Sequence, residues 1–478
     1  MVAESISFVK TPRPSPDPMP KLQLIFATVV TACFIATSIS CLSANESGAE
    51  KQPNIVILYS DDAGYADFGF QAGVRNDMKA LTPNIDRIAK SGAVFTNAYM
   101  SGCVCSPSRA GMMTGRYQSR FGHDNNIPPG FMKGGLPKSE TLMPKRLKKL
   151  GYRTGLIGKW HLGYPDGFQP NDRGFDWFYG CLQGSRSYFP MKKTTPHRVF
   201  LENRKPTPEG GYTTDRIGDG ACRFIKENRD EPFFLFVSFT APHGPLQPKQ
   251  KDLDALEAIQ DVKRRKYAGL VKALDDNVGK IMACLKEHDL TNNTLVIFTN
   301  DNGGQTKTGA NNFPLRGSKG NLYEGGVRVP MAAQWPKVIK PGTQIDSPVI
   351  SLDFLPTFVE LGGGKVDPEW KLDGRSLKNL LAGKENTSQW SRTFYWRQHG
   401  SQGNLACRKD DWKLVFNRAN QSEPELYDLS KDPSEQKDVA GEHPKLVGAL
   451  RKELAVWEKP MKEPLWGQTR RPKSQSKK

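Results

Sequence analysis

Three short apolar runs constrain the fold of this chain more than any other feature. They cover residues 54–59, 233–239 and 295–299. Continuous apolar runs of this length are typical of strands buried on both faces of a parallel sheet. Helical patterns lie between the runs, the longest over 267–285 with apolar residues at alternating spacings of four and three. The sequence therefore predicts an α/β fold with a large, mostly parallel sheet flanked by helices.

Polar side chains follow each apolar run at the point where the strand should end. A fourth predicted strand, 152–157, also leads into a polar segment. Because the carboxyl ends of parallel strands share one edge of the sheet, we expect these side chains to meet there. The set consists of Asp61, Asp62, Lys159, His161, His243, Asp301 and Asn302. Its carboxylate and amide oxygens suit a hard cation such as Ca²⁺ or Mg²⁺ and disfavour zinc.

The pattern changes after residue 343. Residues 394–396 and 412–416 are typical of antiparallel strands, and 446–457 has the spacing of a closing helix. This combination predicts a smaller C-terminal α+β domain that contains an antiparallel sheet. We expect four segments: an N-terminal export segment at 1–44, the α/β domain at 45–364, the α+β domain at 365–460 and a basic tail at 461–478.

The segment that begins at Cys105 is the best candidate for a reactive centre. Pro107 favours a helix start, which would place Cys105 at the positive end of the helix. That position is expected to lower the pKa of the Cys105 thiol. Arg109, four residues later, would project from the same face as a fixed cation. The segment thus indicates chemistry on an anionic substrate.

A family resemblance rests on this same segment. Cys105-Ser106-Pro107-Ser108-Arg109, continuing to Thr114-Gly115-Arg116, resembles the signature of type I sulfatases, of the arylsulfatase and N-acetylgalactosamine-sulfatase kind within the alkaline phosphatase superfamily. In that family a maturation enzyme oxidises the motif cysteine to formylglycine, an aldehyde residue. The resemblance implies one Ca²⁺ ion, and its ligands would be Asp61, Asp62, Asp301, Asn302 and the residue derived from Cys105.

The resemblance also implies roles for basic residues. Arg109 would hold the formylglycine hydrate, and Lys159 and His161 match the family's Gly-Lys-Trp-His element. His243 matches its Pro-His element, and Lys319 resembles the lysine that contacts substrate sulfate. The family's accessory polar residue matches either Ser185 or Ser187, and the sequence leaves that choice open. His123, near the Cys105 helix, is a further candidate to face the substrate.

The mechanism that the resemblance implies is covalent. A hydroxyl of hydrated formylglycine attacks sulfur, with Asp301 placed to take its proton. His243 would protonate the leaving alcohol, and His161 would deprotonate the second hydroxyl so that sulfate is released. Lys159 and Lys319 would offset negative charge on the sulfuryl oxygens. The substrate implied is a sulfated carbohydrate or aryl sulfate, and the second partner is the maturation enzyme.

Charge and the N-terminal segment indicate an exported protein. The net charge of +18 suits an anionic substrate, and no nucleic-acid recognition motif accompanies it. Basic residues precede an apolar run over 22–35, as in a signal peptide, and this run is short for a stable membrane span. We therefore expect cleavage near residue 44 and a periplasmic or secreted product.

Two other functions fit the same residues. A phosphoesterase or phosphonate monoester hydrolase of the same superfamily would use the same scaffold for phosphoryl transfer. A non-catalytic protein that binds sulfated glycans would keep the fold and leave Cys105 as a thiol.

Overall fold

The computed structural model describes residues 9, 11–12, 51–385 and 390–467. The predicted signal peptide at 1–44 lies outside the described residues except for positions 9, 11 and 12, and so does the predicted tail after residue 467. In the described part of the chain, no helix is long and apolar enough to cross a membrane.

Sixteen strands occur within the described residues. In chain order they are β1 (Asn54–Ser60), β2 (Ala93–Phe95), β3 (Ala98–Tyr99), β4 (Arg153–Lys159), β5 (Trp177–Cys181), β6 (Leu201–Glu202), β7 (Lys205–Pro206), β8 (Phe233–Ser238), β9 (Thr294–Asn300), β10 (Met331–Gln334), β11 (Thr343–Ile345), β12 (Val349–Ile350), β13 (Thr393–Arg397), β14 (Leu405–Lys409), β15 (Trp412–Phe416) and β16 (Glu425–Asp428). The three apolar runs form β1, β8 and β9, as predicted.

Ten α-helices accompany these strands in the described segments. They are α1 (Pro83–Lys90), α2 (Cys105–Thr114), α3 (Met143–Lys148), α4 (Thr213–Glu227), α5 (Gln250–Asp254), α6 (Val262–Glu287), α7 (Glu324–Val327), α8 (Phe354–Leu361), α9 (Lys378–Leu381) and α10 (Pro444–Glu458).

The largest sheet has the strand order β11-β2-β10-β9-β1-β8-β4-β5-β6-β7. Its central strands β9, β1, β8, β4 and β5 all run parallel to one another. Strand β10 pairs antiparallel with β9, and β6 pairs antiparallel with β5. The sheet is thus mixed at its margins and parallel at its centre, which confirms the predicted fold class.

Side chains of β1 alternate between two hydrophobic cores. Ile55 and Ile57 face the core that also holds apolar residues of α2, α3 and α8. Val56 and Leu58 face the core built with α1, α4 and α6. Because both faces of the strand are buried, a continuous apolar run is what this position requires.

A four-stranded antiparallel sheet, β13-β14-β15-β16, forms the C-terminal part of the fold. Strand β14, which the sequence patterns did not indicate, lies between the two predicted strands and pairs antiparallel with each. The sheet shares a hydrophobic core with α10 and with residues near Cys103. Trp396 of β13 donates its indole N–H to the Met100 carbonyl oxygen at 2.7 Å, so this sheet supports the chain leading into α2. The domain boundary at residue 364 stays a prediction.

Candidate active site

The carboxyl ends of the central strands carry the polar residues predicted for this edge. Asp61 and Asp62 follow β1, and Asp301 and Asn302 follow β9. Asp62 has φ 67° and His161, after β4, has φ 61°, so both adopt the left-handed backbone region that side chains other than glycine rarely enter. Strained backbone of this kind clusters at functional sites.

Cys105 is the first residue of α2 and is only 2% exposed. Its Sγ lies 3.6 Å from Asp61 Oδ1 and 4.0 Å from Asp62 Oδ1. Burial and the Asp301 carboxylate raise the pKa of the thiol to about 12, although Lys159 and Lys319 oppose this shift. The expected lowering of this pKa is therefore wrong, because desolvation and nearby carboxylates outweigh the helix terminus.

Four side chains meet closely enough to share one metal ion. Ligand atoms of Asp61, Asp62, Cys105 and His243 all lie within 4.8 Å of one another. The Nε2 atom of His243 is 3.5 Å from Asp62 Oδ2. Three of the residues are buried, whereas the side chain of His243 is 24% exposed and borders solvent.

Asp301 and Asn302 adjoin this group. Asp301 accepts the Asp62 backbone N–H at 3.2 Å, and Asn302 donates its amide to Asp62 Oδ1 at 2.9 Å. Burial alone would raise the pKa of Asp301, but Arg109 and Lys159 outweigh it and lower that pKa. The Asn302 Oδ1 atom is buried and has no hydrogen-bond partner among the described residues. An unpartnered buried oxygen beside two carboxylates is suited to a hard cation.

Two lysines pair with the aspartates that follow β1. Lys159 Nζ lies 2.7 Å from Asp61 Oδ2, and Lys319 Nζ lies 2.7 Å from Asp62 Oδ2. Lys159 is fully buried, while the Lys319 side chain is 12% exposed. For both lysines, burial lowers the pKa, but nearby anionic groups more than compensate and raise it. Both amino groups are therefore cationic in the fold.

Arg109 lies beneath the carboxylates and is fully buried. Its guanidinium donates to Asp301 Oδ2 from Nε at 3.2 Å and from Nη2 at 3.1 Å. It also donates to Ser238 Oγ at 2.5 Å and to the Lys159 carbonyl oxygen at 3.2 Å. The guanidinium thus joins α2 to the ends of β4, β8 and β9. Its role in holding a hydrate at position 105 stays a prediction.

His161 faces the same region from the end of β4. Its backbone N–H donates to the Leu182 carbonyl oxygen at 3.0 Å, and its ring packs against Gly184, where a Cβ atom would come within 2.4 Å of Cε1. Burial and the positive charge of Lys159 lower its pKa well below the usual value. The imidazole is therefore neutral, and its Nδ1 atom has no hydrogen-bond partner within the described chain.

The two remaining candidates differ in their surroundings. His123 is fully buried, with Nε2 2.6 Å from Ser106 Oγ, so it contacts the start of α2, and its role toward the substrate stays a prediction. The Ser187 hydroxyl donates to Gln247 at 2.9 Å. Ser185 directly follows the glycine that contacts His161, and the choice between the two serines stays a prediction.

Sequence reasoning missed several residues that support the site. Ser238 ends β8 and contacts Arg109, so the rule that selected residues after strand ends could have found it. Ser106 donates its hydroxyl to the His161 carbonyl oxygen at 2.8 Å, and Asn126 Oδ1 accepts the Ser106 N–H at 2.8 Å. No local pattern indicates the contact with Asn126.

Comparisons with known proteins agree with this arrangement. Residues 53–364 match the Sulfatase family model, and residues 318–459 match the model described as N-sulphoglucosamine sulphohydrolase, C-terminal. The chain is 31% identical to N-acetylgalactosamine-6-sulfatase from Mus musculus, over 92% of each protein. It is 28% identical to arylsulfatase J from the same organism, over 85% of this chain and 76% of that protein.

A solved structure extends the similarity to the fold. The crystal structure of Ps i-CgsB in complex with k-i-k-neocarrahexaose superposes with a TM-score of 0.82 at 37% identity, covering 87% of this chain and 95% of that one. The matched models span both sheets and the residues gathered around Cys105. The chain therefore belongs to the sulfatase family of sulfuric ester hydrolases.

Proposed function

We propose that this protein is an exported sulfatase that hydrolyses sulfate esters of a sulfated carbohydrate, with Cys105 converted to formylglycine and one Ca²⁺ ion bound beside it. The observation that carries the proposal is the position of Cys105. Its Sγ lies within 4.0 Å of two carboxylates, and Lys159 and Lys319 pair with those same carboxylates.

The donor atoms around Cys105 fit a hard cation. Asp61 and Asp62 direct Oδ1 toward Cys105 and Oδ2 toward a lysine. The unpartnered Asn302 Oδ1 adds a neutral oxygen. Asp61, Asp62, Asp301, Asn302 and the residue derived from Cys105 would hold the ion. Oxygen donors of this kind favour Ca²⁺ over zinc.

When present, formylglycine would supply the nucleophilic oxygen that attacks sulfur, and Ca²⁺ would supply positive charge beside it. The chain's own residues bind and orient the sulfate. Lys159 and Lys319 hold positive charge where the sulfuryl oxygens would lie. Arg109 fixes Asp301 as a carboxylate that can accept a proton.

Two histidines are placed to move protons. His243 is partly exposed and lies beside Asp62, where a leaving alcohol could receive its proton. His161 is enclosed and has an unpartnered Nδ1 that can accept one. In this proposal, the enclosed His161 accepts a proton in the step that releases sulfate. The partly exposed His243 donates a proton to the alcohol, which leaves toward solvent.

A sulfated carbohydrate is the substrate class that we favour. Ps i-CgsB was crystallised with a hexaose, and other relatives are named for N-acetylgalactosamine sulfate. The excess of basic residues over acidic ones supports an anionic substrate.

The first test is the mass of the tryptic peptide spanning residues 91–109, from protein produced with a maturation enzyme. This peptide contains Cys103 and Cys105, so Cys103 serves as an internal control. We expect a loss of about 18 Da located at Cys105 alone. An unmodified Cys105 under these conditions would contradict the conversion and favour the glycan-binding function.

Turnover distinguishes the remaining functions. We expect hydrolysis of 4-nitrophenyl sulfate to exceed that of 4-nitrophenyl phosphate, and the Cys105→Ala variant to lose both, whereas Cys103→Ala keeps them. Faster phosphate hydrolysis would favour the phosphoesterase.

Export has a separate test. N-terminal sequencing of protein from the periplasm or medium should begin near residue 45. An intact Met1 in the cytosolic fraction would contradict export.

A further inference from the structure

A basic pocket lies at the amino ends of the central strands. Its volume is about 580 Å³, within the range of ligand pockets. It is bordered by the end of α2, by α3 and by the segment that follows α8. The side chains that define the basic pocket are Arg116, Lys145, Arg146, Lys149, Lys365 and Trp370.

The basic pocket is separate from the site around Cys105. Thr114, which lines it, is the last residue of α2, whereas Cys105 is the first. A helix of ten residues spans about 14 Å. Leu150, also in the lining, accepts a hydrogen bond at 3.1 Å from Gln52, which precedes β1. The two sites therefore lie at opposite ends of the parallel strands.

Positive charge in the basic pocket exceeds negative charge. Five cationic side chains line it, against two carboxylates, Glu140 and Glu369. Arg116 pairs with Glu140 at 2.7 Å. Within the described residues, none of the other four cations has an ion-pair partner. An excess of unpaired cations around a concave surface attracts anions.

Arg146 is the cation of the basic pocket that stacks on an aromatic ring. Its guanidinium carbon lies 3.7 Å from the centroid of the Trp370 ring. Its Nε atom is buried and has no hydrogen-bond partner in the described part of the chain. Burial lowers its pKa, and the nearest carboxylates only partly oppose that shift. A partly buried guanidinium with an unpartnered donor is well satisfied by an oxyanion that accepts its hydrogen bonds.

We propose that the basic pocket is a second, non-catalytic binding site for a sulfated saccharide chain. A sulfate group would accept hydrogen bonds from Arg146, with Lys145 and Lys149 nearby. Trp370 is partly exposed and offers apolar surface to a sugar ring. The anion preference stands on the charges of this pocket, while the choice of a saccharide rests on the proposed function.

The test measures hydrogen exchange of the full-length Cys105→Ala chain with three probes: k-i-k-neocarrahexaose, the same hexaose after chemical desulfation, and inorganic sulfate at equal sulfate concentration. We expect the sulfated hexaose to protect residues 142–150 and 363–371, and the other two probes to leave them unprotected. This readout is local and does not need turnover, so it stays informative if the proposed function fails.

Variants provide matched controls. Arg146→Ala should weaken the protection of these segments at least tenfold in hexaose concentration, and Lys149→Glu, at an exposed position, should weaken it without affecting folding. Arg223 also stacks on a tryptophan, at 4.4 Å from the Trp177 centroid, but it pairs with Glu202. Arg223→Ala should therefore leave the protection of residues 142–150 and 363–371 unchanged.

Three results would overturn the proposal. The first is no protection of these segments by the sulfated hexaose. The second is equal protection by the desulfated hexaose, and the third is equal protection by inorganic sulfate.

Discussion

Two buried clusters of charged side chains in this protein are similar in composition and differ in their surroundings. The cluster that we propose to be catalytic, called the catalytic cluster below, consists of Asp61, Asp62, Asp301, Lys159 and Lys319. The junction cluster consists of Glu324, Lys413 and Glu435, and it connects α7 with the small antiparallel sheet. Both clusters place carboxylates within 3.2 Å of lysine amino groups.

The clusters differ in how far their charges are enclosed. Glu324, Lys413 and Glu435 are each fully buried, and Tyr99 also donates to Glu324 at 2.6 Å. The catalytic cluster instead reaches solvent through Lys319 and lies beside the unpartnered Asn302 Oδ1. The junction cluster uses its charges to hold two parts of the fold together, whereas in our proposal the catalytic cluster keeps donors and acceptors for a ligand.

The largest expected effect is on stability, from breaking the junction cluster. Lys413→Met would leave two buried carboxylates without their shared cation. We expect the free energy of unfolding in urea to fall by about 3–5 kcal/mol. Lys409→Met, in the neighbouring strand β14, removes an exposed pair with Glu453 of α10 and should cost no more than about 1 kcal/mol. Equal losses of unfolding free energy in the two variants would contradict the distinction between the buried and the exposed pair.

The matching change in the catalytic cluster should affect turnover. Lys319→Met removes the lysine at the opening, and we expect kcat/KM for an aryl sulfate to fall about 100-fold, or about 2.7 kcal/mol. Its free energy of unfolding should change by less than about 1 kcal/mol, since three carboxylates no longer need this cation when Ca²⁺ is bound. Lys307→Met, in an exposed nearby loop, is the control. A loss of stability without a loss of turnover would place Lys319 with the structural lysines.

The effect of Ca²⁺ on stability should also distinguish the two clusters. After chelation, Ca²⁺ at about ten times its Kd should raise the free energy of unfolding by about 1.4 kcal/mol. Asn302→Ala should shift this response to higher Ca²⁺ concentration, and Lys413→Met should leave the increment intact. Thermal unfolding with and without Ca²⁺ measures both. An increment that disappears in Lys413→Met would contradict the assignment.

A last difference between the clusters is the pH dependence of the junction cluster. Burial raises the pKa of Glu435 from 4.5 to about 7. Its contribution to stability is therefore complete below about pH 4.5 and is lost as pH rises through 7. Glu435→Gln should be more stable than the parent at pH 8, with a difference that shrinks toward pH 5, because Glu324 still pairs with Lys413. Urea unfolding of both proteins at pH 5 and pH 8 checks the sign of this stability difference.

The sequence predicts the large sheet well because its signals are local. An apolar run indicates a buried strand without reference to the rest of the chain, and the residues after β1, β4, β8 and β9 then converge by topology alone. That is why Asp61, Lys159 and Asp301 could be placed together from separate parts of the chain.

The remaining features depend on tertiary contacts. The raised pKa of Cys105 follows from burial, which no residue near it in sequence reveals. The left-handed backbone of Asp62 and His161 has no glycine to indicate it. The junction cluster joins residues 89 and 111 positions apart, and no spacing pattern connects them.

If Cys105 is converted to formylglycine as proposed, its burial sets an order of events in biosynthesis. Every residue of α2 is buried in the folded chain, and Cys105 exposes only 2% of its surface. An enzyme that modifies Cys105 has to reach its side chain, which the folded protein keeps buried. If Cys105 is converted as proposed, conversion comes before α2 packs onto the sheet. Export and folding would then compete with maturation for the same newly made chain, and a molecule that folds first would remain permanently inactive.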